Sequence, residues 1–193
     1  AFNAQNTSQA IVTACSSATN AIGNAFEQIK LGKAKVMITG GTEASVNEIG
    51  ISGFASLTAL SKAEDPTKAS IPFDKDRNGF VMGEGSGTLI LEDYDHAKQR
   101  GAKILAEIVG YGTTSDAYHM TAPDPEGKGA KRAMQMAIDE AGVAAEDVDY
   151  INAHGTSTHV NDSAESTAIS AVFSTNDHGK VSRTNGITGH AQG

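Results

Sequence analysis

Apolar residues recur along the chain with two spacings that alternate from one end to the other. The run "QAIVTA" (9–14) predicts a short buried strand, and from Ser16 onward Ile22, Ala25, Phe26 and Ile29 fall at helical spacing until Gly32 ends the run. "AKVMITGG" predicts a buried strand closing on two glycines, "EASVNEIGISGFASLTALS" is mixed and partly helical, and "KAEDPTKAS" is a polar turn. After the loop "PFDKDRNGF", the segment "GTLILEDYDHAKQRG" predicts a strand running into a helix with an acidic start and a basic end, the order the helix dipole favours. "KILAEIVGYGTTSD" reads as a strand. "GKGAKRAMQMAIDEAGV" is the clearest amphipathic helix, with Ala133, Met136, Ala137 and Ala141 on one stripe and Gly142 closing it. "DVDYINAHGTS" predicts a strand and turn, a helix spans about Ser163 to Phe173, and "KVSRTNGITGHAQG" follows. Strands alternating with helices imply sheets covered by helices, an α/β class; no low-complexity linker or short tandem repeat interrupts them.

Composition narrows the partners. The 193 residues suffice for a substantial core, and the abundance of Gly (21 copies) against 5% aromatics favours close backbone packing. A formal charge of −8 without a Lys/Arg cluster argues against nucleic acid, whose phosphates need a basic face. A single Cys excludes an internal disulfide framework, and no Cys/His spacing suits zinc, so a reducing, cytoplasmic setting is expected. No apolar run approaches the roughly 18 residues of a membrane span. The N-x-[ST] matches at Asn6 and Asn161 are read as chance, since no secretory signal appears. Because the chain starts at Ala1 and stops in a Gly-rich turn, an excised portion of a longer protein is expected.

Cys15 lies where a strand gives way to a helix, a position whose free N–H groups and dipole lower a thiol pKa. Taken alone, it reads equally as a nucleophile or as a small buried hydrophobe. His154, in "NAHGTSTHVND", and His190, in "NGITGH", each follow a short strand and sit beside glycine, where α/β proteins build sites. With Cys15 they form a constellation in which imidazoles supply N–H donors or a base beside a nucleophile. His96, His119, His159 and His178 lie in polar surroundings and are expected to be solvated, and the five-residue step from His154 to His159 does not suit a helical metal pair. Asp74, Asp76, Asn78 and Gly79 match the opening of a calcium loop, but its twelfth position is Gly85 instead of Glu, so a tight loop whose carboxylates pair with Arg77 or Lys75 is expected. Gly83, Gly85 and Gly87 do not make a dinucleotide fingerprint.

Several long motifs then converge. "TACSSA", "PFDKDRNGFVMGEGSG", "SDAYHMTAPDPEG", "NAHGTST" and "TGH" stand in the order and at the approximate spacing of the β-ketoacyl-acyl carrier protein synthases. The chain resembles in particular the elongating enzyme of bacterial type II fatty acid synthesis. The likeness runs its full length and covers roughly the middle half of such an enzyme. It implies a thiolase-like αβαβα sandwich, here incomplete, with residues 1–102 the latter part of an N-terminal half carrying the nucleophile and 103–193 the first part of a C-terminal half carrying both histidines. It makes Cys15 the acyl-accepting nucleophile, His154 and His190 the pair at the malonyl site, and Thr156 and Thr158 contacts for the phosphopantetheine arm. The implied activity is acyl transfer with decarboxylative Claisen condensation in fatty acid biosynthesis, with no bound cofactor. Acyl carrier protein is the implied partner, with Lys62 and Lys68 as a candidate docking patch, and a cytoplasmic homodimer is the implied state.

Rival readings stay open. A polyketide ketosynthase uses the same triad, and a catalytically silent homologue serves only as a dimer partner or docks carrier protein. A degradative thiolase would need a second Cys, and an initiating synthase would pair Cys with His and Asn. Half of the oxyanion hole belongs to a Gly-rich loop not in this chain, so these 193 residues alone are expected to be inactive. Where the family usually has lysine, five residues before the second histidine, this chain has Asn185, while the acid that normally partners it is Glu165. A buried unpaired Glu is costly, so Glu165 is solvated, or Asn185 bonds it, or the site is impaired. After His190, "AQG" also departs from the family pattern.

Overall fold

The structure, a computed structural model, describes residues 2–174 and 179–192. It is mixed α/β, and its chain divides into two compact units. The first takes residues up to Glu43 and then Gly85–Ile108; the second takes Ala44–Glu84 and Val109–Ala191.

In the first unit, α1 (Ser17–Lys30) packs on a two-stranded antiparallel sheet of β1 (Val36–Glu43) and β2 (Gly85–Glu92), followed by α3 (Tyr94–Gln99). Ala25, 2% exposed, and Gly23 are the small residues that let α1 lie close. The sheet register sets Met37 opposite Leu91 on one face and Ile38 opposite Ile90 on the other, and Ile90 stays 68% exposed. The predicted strand-to-helix passage is present: Asp93 caps α3 by accepting the His96 N–H. His96 is not simply solvated. Its Nδ1 lies 2.5 Å from Glu92 Oε1, and Arg100 also holds that carboxylate, which together push the Glu92 carboxyl down to about 2, Arg100 being the larger influence.

The second unit holds α2 (Glu48–Ser56), a 3-10 turn (Pro66–Lys68), α4 (Lys128–Ala141), β3 (Tyr150–Asn152), α5 (His159–Val172), β4 (Lys180–Ser182) and the single-turn α6 (Asn185–Thr188). β3 and β4 pair in parallel, from Tyr150 opposite Lys180 to Asn152 opposite Ser182. α4 packs on α5, and Ile138 of the first helix and Ala164 and Ala168 of the second are buried.

Three predicted elements differ. "QAIVTA" and "KILAEIVGYGTTSD" join no ladder among the described residues, and Val12 and Leu105 are 85% and 86% exposed. A strand exists only when a neighbour takes its N–H and C=O groups, and apolar content does not supply one. Part of the second segment is instead laid across α4: a Cβ built on Gly110 would stand 2.1 Å from the Ala137 carbonyl oxygen, and one on Gly112 1.9 Å from that of Ala133. Only glycine permits that approach. The α4 stripe therefore includes Ala133, Ala137 and Ala141, but Met136 is 46% exposed while Ile138 is buried. Finally, α5 begins at His159 rather than near Ser163, because the Thr158 hydroxyl accepts the Asn161 N–H and caps it. No helix among the described residues is long and apolar enough to cross a membrane.

Candidate active site

Cys15 stands in a turn at the head of α1. Ala14, just before it, has φ +51, a left-handed conformation unusual for a residue with a side chain. The neighbouring serines secure that turn instead of capping the helix. Ser16 Oγ donates to the Thr13 carbonyl at 2.9 Å, and Ser17 Oγ donates to the Ala14 carbonyl at 2.7 Å while accepting the Thr13 N–H. No side chain caps α1 and no acid lies in its first turn, so the positive end of its dipole is uncompensated. Cys15 is an exposed residue, which removes the reading as a sealed core thiol. The expected lowering of its pKa is not what results. Desolvation by the surrounding chain pushes the thiol up from its ordinary value, outweighing the hydrogen bond at its own backbone.

The second unit brings His154 and His190 together, their ring centroids 4.8 Å apart and the planes at 75°, an edge-to-face pair. Sequence spacing alone could not have announced this contact, since 35 positions separate the two residues. His154 follows β3 in the turn Ala153–Thr158. Ala153 N–H donates to the Ser182 carbonyl at 2.8 Å, and Gly155 turns the chain at φ +50, where a Cβ would meet Arg183 Cβ at 2.8 Å. His190 is 6% exposed and held by its main chain: its N–H donates to the Val81 carbonyl at 2.7 Å, and its carbonyl accepts the Gly83 N–H at 2.9 Å. Behind it the Phe80 ring stands edge-on at 5.4 Å.

Burial lowers the pKa of both imidazoles. For His154 the Glu165 and Asp162 carboxylates oppose that shift; for His190 the neighbouring His154 adds to it and brings the value to about 4. Both rings are therefore neutral near pH 7, each with one N–H to donate. The linkage has a definite sign. Between about pH 6.5 and 4 the unfolded chain binds the His190 proton more readily than the folded one. The stability is thus whole above 6.5 and declines as pH falls through about 4, by up to about 3 kcal/mol for this one group. Urea unfolding at pH 7 and pH 4 should reveal the decline, and His190→Gln should flatten it; parallel profiles for the two chains would refute the assignment.

Glu165 is neither bare nor bonded to Asn185. Its Oε1 accepts the His154 N–H at 2.6 Å and its Oε2 the Gly155 N–H at 2.8 Å, with the Asn161 amide at 3.4 Å. Asn185 Nδ2 instead donates to the His154 carbonyl at 2.6 Å. Thr156, buried, and Thr158 join hydroxyls at 2.9 Å. His119 and His159 are exposed as expected, and His178 lies outside the described residues.

The residues that sequence reasoning passed over lie in "PFDKDRNGF" and at the start of α5. Arg77 does not pair with the carboxylate of Asp74 or Asp76. It donates to the carbonyls of Asp74, Thr158 and His159 and to Ser163 Oγ, and its Nε lies 3.4 Å from the carboxylate of Asp162. Asp162, 1% exposed, also accepts the Phe73 N–H at 2.7 Å. Asn78 Oδ1 accepts from Ser61 Oγ and the Lys62 N–H. An acid one turn into a helix opened by threonine was the available signal for Asp162.

Two family models together cover nearly the whole chain. The N-terminal domain model of the beta-ketoacyl synthases matches residues 1–97, and the C-terminal domain model matches 105–193. The chain belongs to the beta-ketoacyl synthase family. It is 53% identical over all its residues to a 3-oxoacyl-(acyl-carrier-protein) synthase 2 of Staphylococcus aureus, covering 48% of that protein, and 52% identical to one of Synechocystis, covering 47%. The chain thus spans about half the length of these curated relatives. Among solved structures it is similar to a type II PKS acyl-carrier protein in complex with its ketosynthase, at TM-score 0.94 and 40% identity over 98% of this chain and 47% of that one. It is also similar to a beta-ketoacyl synthase from Burkholderia phymatum, at TM-score 0.88 and 43% identity over 94% of this chain and 43% of that one. The α/β fold is the thiolase-like one that the motifs implied.

Proposed function

We propose that this chain is the part of a fatty-acid-elongating acyltransferase that carries its nucleophile and both of its imidazole donors. The observation that carries the reading is the edge-to-face pair of His154 and His190, two rings kept neutral by burial and thus able to offer two N–H groups to one developing negative charge. Identity of 53% to the synthases of fatty acid elongation supports it.

The reaction has three steps. Cys15 Sγ attacks the carbonyl of an acyl thioester held on the phosphopantetheine of acyl carrier protein; a C–S bond forms, the carrier's C–S bond breaks, and the carrier thiolate takes up a proton. Malonyl thioester then loses CO₂, the electron pair of the broken C–C bond becoming an enolate whose charge gathers on the thioester oxygen. There the N–H groups of His154 and His190 act. The carbanion finally attacks the acyl-Cys15 carbonyl, forming the new C–C bond and expelling the Cys15 thiolate. No bound cofactor is required, since the carrier supplies the substrates. Desolvation raises the thiol, which works against the thiolate, and the positive end of the α1 dipole works for it when the carrier's thioester arrives.

In the same reading, Thr156 and Thr158 contact the phosphopantetheine arm, Glu165 and Asn185 support His154, and the exposed Lys62 and Lys68 meet the acidic carrier. Residues 1–102 and 103–193 belong to successive thiolase-like halves, and the protein works as a cytoplasmic homodimer. A polyketide-type ketosynthase is the second reading, favoured by the fold likeness to a type II PKS ketosynthase at TM-score 0.94, though the 40% identity there falls short of 53%. A silent docking homologue is disfavoured by the presence of Cys15.

Mass spectrometry of the full-length protein after incubation with acyl-(acyl carrier protein), or with cerulenin, tests the assignment. An adduct on Cys15 that disappears in Cys15→Ser is expected. A folded protein that takes no adduct would point to the silent homologue.

A further inference from the structure

One side chain ties the two histidine-bearing segments to each other. The β3–β4 ladder ends at the Asn152–Ser182 pair, two residues before His154, followed by the Ala153 N–H bond to Ser182. Beyond that point Asn185 Nδ2 reaches the His154 carbonyl oxygen at 2.6 Å, so an amide side chain continues the pairing by one rung. Asn185 is also the first residue of α6, the turn that leads through Gly189 into His190. Its own carbonyl accepts Ser70 Oγ at 2.7 Å, a bond to the main chain that does not involve the amide. On the opposite side of His154, Glu165 accepts the His154 and Gly155 N–H groups. His154 is therefore gripped at its N–H by a carboxylate and at its carbonyl by an amide, and the amide belongs to the element that delivers the second ring.

From this we infer that Asn185 is a positioning residue that sets the spacing of the His154 and His190 imidazoles, by tying the turn of the first to the helix that carries the second. Two donors can serve one oxygen only if each lies about 2.7–3.1 Å from it, so ring separation matters to a few tenths of an ångström. The histidine side chain does not fix this by itself, because its outer torsion is broad. Main-chain anchors must do so: Val81 and Gly83 for His190, Glu165 and Asn185 for His154. Of these, Asn185 alone joins His154 to the short helix running into His190.

The kinetic half of the test rests on the reaction proposed above; the spectroscopic half does not. Asn185→Ala and Asn185→Leu remove the donor without adding charge, and Asn185→Gln keeps an amide. Ser70→Ala removes a bond to the Asn185 main chain, leaves the bond from the Asn185 amide to His154 in place, and is the structural control. In the full-length protein, the ring titrations of His154 and His190 are followed by NMR, with the Glu165 and Asp162 carboxylates that face His154 left unchanged. In the Ala and Leu variants the His190 midpoint should move up from about 4, as the rings separate and water enters. CO₂ release from malonyl-(acyl carrier protein) should fall about tenfold while acylation of Cys15 stays within about twofold, and Gln should restore most of the loss. Ser70→Ala should lower the unfolding midpoint and change neither reading.

Unchanged ring titrations in Asn185→Ala, or the same shifts in Ser70→Ala, would overturn the inference. If the Ala variant does not fold, the difference between Asn185→Leu, uncharged and of similar volume, and Gln decides the matter: a shifted His190 midpoint in Leu alone supports the tie, and equal midpoints overturn it. A wild-type protein that releases no CO₂ sinks the proposed reaction, and the ring titrations still judge Asn185.

Discussion

Replacing Asp162 by alanine is expected to cost about 3–5 kcal/mol of stability, the largest loss from a single side chain outside the apolar core. The carboxylate is 1% exposed at the first turn of α5 and accepts from the Phe73 N–H, the Asn161 amide and, at the edge of range, Thr156 Oγ1, with Arg77 Nε at 3.4 Å. Its removal leaves a half-buried guanidinium without its counter-charge and a main-chain N–H without an acceptor, and each is penalised by the full desolvation of the group. Asp162→Asn, which keeps one acceptor oxygen but not the charge, should lose less. Urea unfolding followed by circular dichroism measures both. A loss below about 1 kcal/mol for the alanine variant would mean that the network is not a structural tie. The effect should extend beyond stability, because Arg77 also binds the carbonyls of Thr158 and His159, and Gly79 N–H binds that of Ser157 at 3.0 Å. These bonds fasten the 72–83 segment, which holds the main chain of His190, to the turn that carries His154.

In the full-length protein, His154→Ala should lower CO₂ release from malonyl-(acyl carrier protein) by about 10²–10³-fold while leaving acyl transfer to Cys15 far less affected. The split follows from when the charge appears. An N–H donor aimed at the enolate oxygen acts in the decarboxylating transition state, whereas the nucleophilic step depends on the thiolate. His190→Ala should behave alike, and the double variant should lose much less than the product of the two, since a lone donor cannot hold the oxyanion in the geometry the pair provides. Radiolabelled CO₂ release, measured beside Cys15 acylation in the same samples, separates the steps. Equal losses in both steps would assign the histidines to thiolate formation instead.

The sequence marked the candidate reactive residues more securely than the way they are held. Helical periodicity placed α1, α3 and α4, because a helix closes its own hydrogen bonds and its register is written locally. The same logic failed for "QAIVTA" and "KILAEIVGYGTTSD", whose apolar content suits a strand while the ladder depends on a partner elsewhere. Cys15, His154 and His190 could be picked out as rare reactive residues beside turns and glycines. The pairing of Arg77 was misread as local, since "DKDR" offers two acids next to it, whereas the carboxylate it meets lies 85 positions away. Glu165 was left with three possible fates, and its actual partners, two main-chain N–H groups, have no signature in any side-chain pattern.

Sequence by itself determined the α/β class, most of the helices and the identity of the chemical groups, because composition and short-range spacing encode these. Tertiary structure alone decided that the two imidazoles meet edge to face, that burial keeps both neutral and lifts the thiol, and that Glu165 and Asn185 take opposite ends of the His154 main chain. Those outcomes depend on distances between residues far apart in the chain and on the water excluded around them, quantities that come into being only when the chain has folded.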